Sequence, residues 1–239
     1  MNIPSTVKVI AEALFYFALY LFCMFTVYPS VLASLITVLA FIAIFLLQSK
    51  NFAKEIELRK ISPLICCVMP IFGAAANVLM AVVISSVPFP ESWMNEYNTA
   101  ISTIVEDTTA ATVIFTALLA PLCEEITLRG LVHTRLRKVL PTFWAMLISS
   151  LVFGVMHGIK IQIIYAFLLG LLLAWIFEKT NSLLSPILFH IGFNVCGLVI
   201  HLYKWSLPIL IIICALICAL AAVYTERTST RKIHFVRKN

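Results

Sequence analysis

Long apolar runs alternate with short polar breaks along most of this chain. Eight runs are expected to be membrane helices: Ala11–Val27, Val31–Leu47, Leu64–Ser86, Thr109–Cys123, Phe143–Met156, Ile161–Phe177, Leu183–Leu202 and Leu207–Tyr224. Several are shorter than the ~20 residues a perpendicular span needs, so their ends are soft. Between Val87 and Asp107 the pattern changes. Pro90 suits a helix start, and Trp93, Tyr97, Ile101 and Ile104 recur at helical spacing. This predicts an amphipathic helix in the membrane interface, with its aromatics at headgroup level. A gate over a lateral opening is the functional alternative.

Composition removes the soluble option. The chain has 239 residues, 62% of them hydrophobic and 12% charged, with a mean hydropathy of +1.04. A soluble domain of this size cannot hide so much apolar surface, and lipid is the remaining place for it. The fold predicted is all-α: one integral-membrane domain over 1–239, a polytopic bundle of about eight transmembrane helices around an intramembrane polar site. The first run lacks a strongly basic start and is followed by another apolar run, so it reads as a retained span.

The net charge of +6 fits topology better than nucleic acid, and no nucleic-acid partner is expected. Basic residues cluster at Lys50, Lys54, Arg59 and Lys60, at Arg129, Arg135, Arg137 and Lys138, and in the tail at Arg227, Arg231, Lys232, Arg237 and Lys238. The stretch from Val87 to Asp107 has Glu91, Glu96, Glu106 and Asp107 and no basic residue. Short loops rich in Lys and Arg stay cytoplasmic, so both termini are expected inside and the acidic stretch outside. The tail is expected to touch anionic lipid, and His133, among the inside basic residues, to be solvated. The seven cysteines make no CxxC pair, which argues against a zinc knuckle or a disulfide framework. They read as packing residues, with Cys123 beside Glu124 the one candidate thiol nucleophile.

Three short stretches hold polar groups where a membrane makes them expensive. "PLCEEITLRG" carries Glu124, Glu125 and Arg129; "FGVMHG" carries Phe153 and His157; "SPILFHIGFN" carries His190 and Asn194. Residues four apart share a helix face, so Glu125 meets Arg129 and His190 projects with Asn194. Leu140 and Pro141 read as a helical-hairpin turn. Glu124 lies 16 positions before Leu140 and His157 lies 17 after it, which brings the two level in an antiparallel pair. Ser185 and Pro186 read as a cap and a first helical residue. His190 would then sit near the positive end of the dipole, as a neutral ring with one donor, and Asn194 would add amide donors. Two donors aimed at one point suit an oxyanion. Pro121 cannot bond the carbonyl of Ala117, so a kink is expected just before the glutamates. Gly130, Gly154, Gly158 and Gly192 are candidates for close helix approach.

"EEITLRG", "FGVMH" and "HIGFN" resemble, in order and spacing, the EExxxR, FxxxH and HxxxN motifs of the CPBP intramembrane proteases. That family holds CAAX prenyl endopeptidases of the Rce type and bacterial proteins linked to bacteriocin processing and immunity. The resemblance runs from about Pro121 to Asn194, in a family-like core at about 108–203, between N-terminal spans in 1–86 and a basic tail at 225–239. It implies Glu124 as general base, His157 holding the water, His190 and Asn194 as oxyanion donors, and Glu125, Arg129 and Phe153 in support. The family is usually called metallo-dependent, which implies Zn2+ on Glu124, His157 and His190. The same residues equally suit a metal-free glutamate mechanism. Small size and short loops suggest a multi-pass protein of a bacterial plasma membrane. Its partner would be a membrane-associated peptide or protein, such as a leader peptide or a pheromone precursor. A transporter or ion carrier, and a non-catalytic scaffold or immunity protein, are the alternatives. Intramembrane carboxylates and histidines favour the first, but no inverted repeat supports it.

Overall fold

The computed structural model describes residues 5–26, 43, 51–106, 109–203, 208–229, 231 and 233. Of the expected span Val31–Leu47 only Ala43 is described. Lys50, Asp107, Lys232 and the tail from His234 onwards also lie outside the described residues, and so does the side chain of His201.

Among the described residues every element is a helix. These are α1 Ser5–Thr26, α2 Phe52–Glu55, α3 Pro63–Ser86, α4 Glu91–Glu106, α5 Ala110–Val139, α6 Thr142–Val155, α7 Lys160–Thr180, α8 Leu184–Tyr203 and α9 Pro208–Thr228. By length and composition four can cross a membrane: α3, α5, α7 and the Leu210–Thr228 part of α9. α6 and the Leu184–Val199 part of α8 are apolar but shorter. The architecture is therefore an all-helical membrane bundle, with four full-length spans rather than eight among the described residues.

The largest departure from expectation is α5. The expected span ends at Cys123, yet the helix runs on to Val139 and is 30 residues long in all. It starts where the Thr109 side chain accepts the Thr112 amide at 3.3 Å. At ~1.5 Å per residue such a helix exceeds the hydrocarbon thickness, and the paired glutamates lie near the middle of the helix, not at its end. Two stretches wind wide, Phe115–Leu119 and Ile126–His133, both π-helical. Such turns are rare and gather at functional sites. Here they bracket Glu124 and Glu125.

Leu140 is extended and Pro141 precedes α6, which makes the hairpin turn expected there. α6 then ends at Val155, and Gly158, at φ +72, turns the chain into α7. Nothing lies within 4 Å of where a Gly158 Cβ would be, so this glycine serves the turn and not a close helix contact. Lys160 emerges beside α4, its Nζ 2.8 Å from Glu96 Oε2. Trp93, Tyr97 and Ile101 form the half-buried stripe of α4, and Tyr97 meets Tyr165 of α7 edge-on at 6.3 Å.

α8 is held against α3 backbone to backbone. A Cβ on Gly192 would lie 2.1 Å from the Pro70 carbonyl oxygen, and one on Gly73 only 1.9 Å from that of Phe189. Gly192 was legible as a close-approach residue; Gly73 was not. The start of α8 also differs from expectation. It begins at Leu184, whose amide lies 3.3 Å from Ser182 Oγ, while Ser185 is inside the helix with its hydroxyl buried and unbonded.

Candidate active site

Three helices converge on the polar residues. α5 supplies Glu124, Glu125 and Arg129, α6 supplies Phe153 and leads to His157, and α8 supplies His190 and Asn194. Glu125 and Arg129 are wholly buried. Arg129 Nη1 donates to Glu125 Oε1 at 2.9 Å, and Nη2 donates to the Gly170 carbonyl of α7, also at 2.9 Å. The guanidinium lies 4.7 Å from the centroid of the Phe153 ring, which it overlies. Gly170 had no obvious signal in the sequence, yet α7 approaches through it: a Cβ there would press on Phe153 and Ser150 at 3.1 Å. A buried pair of this kind is costly to break from one side, because the partner charge is left uncompensated.

His190 rests on that pair. Its Nδ1 is 3.1 Å from Glu125 Oε1. That oxygen already accepts from Arg129, and Nδ1 carries the hydrogen and donates to it. Nε2 then faces Glu124 Oε2 at 3.7 Å, beyond hydrogen-bond reach. In this tautomer a neutral ring has a lone pair at Nε2, and it donates from there only when doubly protonated. A neutral ring in this tautomer spends its single donor on Glu125.

Phe153 spaces the two imidazoles. It is fully buried, with ring centroids 4.9 Å from His157 and 5.7 Å from His190, both edge-on. His157 Nδ1 is 2.8 Å from the Phe153 carbonyl oxygen. That carbonyl can only accept, so Nδ1 is the donor and Nε2 carries the free lone pair. Glu124 makes no direct hydrogen bond or ion pair with His157 among the described residues; counting along the hairpin makes them level, not touching. Glu124 keeps 13% of its side chain exposed, against 0% for Glu125 and 3% for His190. Asn194 Nδ2 donates to the carbonyl of Thr116 at 2.9 Å.

Among the described residues no three His, Cys, Asp or Glu side chains form a group that could hold a metal. His157 and His190 each set Nδ1 on an oxygen, the Phe153 carbonyl and Glu125, and leave Nε2 turned away from it, an orientation that metal-ligating histidines also adopt. One expectation does not match the arrangement. Cys123 is packed with Phe52, Ile56 and Leu183 in an apolar cluster, not against the site's imidazoles.

A second polar cluster was missed. His133, expected to be solvated, is wholly buried, with Nε2 2.9 Å from Glu178 Oε1 and Nδ1 3.4 Å from Ser149 Oγ. Arg137 binds both Glu178 and Glu57, and Arg231 grips Glu57 at 2.9 and 3.0 Å. This tail arginine is thus tied to protein. Burial alone would raise the Glu57 carboxyl, but the Arg231 hydrogen bond and the charges of Arg137 and Arg231 outweigh it and hold the group below its ordinary 4.5. The spacing of His133 and Arg137 by four, with Glu178 as the lone acid of α7, was the available signal.

The fold and the site together define a helical membrane protein with a carboxylate–imidazole centre inside the bundle. Residues 106–196 match the family model "Rce1-like: Type II CAAX prenyl endopeptidase Rce1-like", which covers less than half of the chain and includes all three motifs. Over this segment the chain is similar to the Rce1-type CPBP membrane proteases, a family of peptidases. No curated protein and no solved structure gives a significant match.

Proposed function

We propose that this protein is an intramembrane endopeptidase that hydrolyses a peptide bond of a membrane-associated peptide or protein, with Glu124 as the base. The observation that carries the reading is the partly open Glu124 carboxylate, deep in α5, facing an imidazole that rests on the buried Glu125–Arg129 pair.

The residues account for each proton. Glu124 takes one hydrogen of a water whose other hydrogen is accepted by the free Nε2 of His157. The water oxygen bonds to the peptide carbonyl carbon, and the carbonyl becomes an oxyanion. His190, when its Nε2 carries a hydrogen, donates to that oxyanion, and Asn194 donates with its amide. The carbon–nitrogen bond then breaks as Glu124 returns its proton to the leaving amine. Water has been added, Glu124 is ionic again, and no covalent intermediate forms.

The family-like core would run over about 108–203, in a multi-pass protein of a bacterial plasma membrane with both termini on the cytoplasmic side. The substrate would be a leader peptide, a pheromone or a bacteriocin-related peptide. Purified protein incubated with membrane-anchored reporter peptides tests the activity, read by mass spectrometry of the products. Cleavage at a defined bond is expected. Intact reporters throughout, with folded protein, would leave the scaffold reading in its place.

A further inference from the structure

Asn194 spends a donor on the backbone of another helix, and the cause lies five residues from the carbonyl it binds. In the π-helical stretch the Ala120 amide bonds back to the Phe115 carbonyl, the wide i to i−5 pattern. The next residue in that register, residue 121, would supply the amide for Thr116. It is proline and has none. Ala120, the ordinary α-helical partner of the Thr116 carbonyl, is already committed to Phe115. The Thr116 carbonyl is therefore left without its regular donor from either register. A carbonyl so freed inside a membrane bundle needs a partner, and the Asn194 amide of α8 supplies it at 2.9 Å.

We propose that Pro121 is a positioning residue for the reaction: it orphans the Thr116 carbonyl so that this oxygen, by holding one N–H of Asn194, aims the other at the substrate. The bond also decides which way the amide faces. A carbonyl cannot donate, so Nδ2 and not Oδ1 must meet Thr116. One hydrogen on Nδ2 is then fixed in place, which sets the amide plane and leaves the second hydrogen free one turn from His190. The wide turn matters as well, because it moves the orphan carbonyl to Thr116 from Ala117, where an α-helix would have left it. This inference rests on the endopeptidase reading for what Asn194 does, and on the helix geometry for how it is held.

The test is a four-protein cycle: wild type, Pro121→Ala, Asn194→Ala and the double variant, each purified in detergent. Turnover of a cleaved reporter and the thermal unfolding midpoint are measured for all four. Pro121→Ala restores an amide that competes for the Thr116 oxygen, so kcat should fall about 10-fold with KM within about twofold, a misaimed group costing rate more than binding. Asn194→Ala should lower kcat ~100-fold or more and also lower the unfolding midpoint. Adding Pro121→Ala to Asn194→Ala should cost no further turnover and should raise the midpoint, since the orphan carbonyl regains a donor. Equal loss of kcat from Pro121→Ala in both backgrounds, or a lower midpoint in the double variant than in Asn194→Ala, would overturn the proposal. The unfolding arm does not depend on proteolysis. If no variant cleaves, wild type included, the endopeptidase reading fails on its own and the midpoints still decide the contact.

Discussion

Two histidines in this molecule sit between glutamates and arginines, both buried, and they differ in what is left over. At the basic end, His133 has both ring nitrogens within reach of partners, Glu178 and Ser149, and Glu178 also takes Arg137. No nitrogen of that ring is left without a partner. Deep in the bundle, His190 has one nitrogen on Glu125, and its second faces a partly exposed Glu124 across 3.7 Å. Glu125 Oε2 also lacks a hydrogen-bond partner. The same residue types make a brace in one place and an unfinished site in the other. Reactivity needs groups that are held but not fully used, and the comparison shows which cluster has them.

The comparison can be broken at its most expensive contact. Glu125→Gln removes the charge that answers buried Arg129 and leaves only a neutral amide oxygen to accept from Arg129 and His190. A loss of about 3–5 kcal/mol in unfolding free energy is expected, as for other severed buried pairs, together with loss of cleavage. Denaturant unfolding alongside a turnover assay checks both; unchanged stability would mean that the pair is wet. Next comes His190 itself. His190→Ala should lower turnover ~100- to 1,000-fold with little change in KM, and His190→Gln, which keeps a donor, should retain more. Equal losses in the two variants would remove hydrogen-bond donation as the role.

The brace should respond differently. His133→Gln should cost about 1–3 kcal/mol of stability, the usual penalty for disturbing a buried hydrogen bond, while kcat stays unchanged. Glu57 gives the smallest effect and a pH signature. Its carboxyl is held below 4.5, so the stability it contributes is present above that pH and is lost as pH falls through the lower folded value. Unfolding midpoints from pH 6 downwards should therefore drop, and Glu57→Gln should flatten the drop. A steeper drop in the variant would reverse the sign of the account.

Much of the site was legible because helices fix spacing. Glu125–Arg129 and Phe153–His157 follow from i, i+4 geometry alone, and the Leu140–Pro141 turn follows from proline between basic and apolar runs. Depth was not legible. Ending the span at Cys123 rested on the cost of charges in lipid, a cost that is offset where Arg129 finds Glu125, Gly170 and Phe153 inside the bundle and the helix runs on. The start of α8 differs from the expected one by one or two residues. Long-range partners were invisible for a different reason. The Thr116 carbonyl and Gly170 are backbone groups, and no side-chain pattern announces which carbonyl a wide turn or a proline will free.

The central claim is that the open cluster is catalytic and the closed one is not. Turnover of a membrane-anchored reporter peptide by purified wild type, Glu124→Gln and His133→Gln tests it in one experiment. The account predicts that Glu124→Gln loses at least ~1,000-fold in kcat while remaining folded, the scale expected for a lost general base. His133→Gln should stay near wild type. Near wild-type turnover by Glu124→Gln would contradict the account.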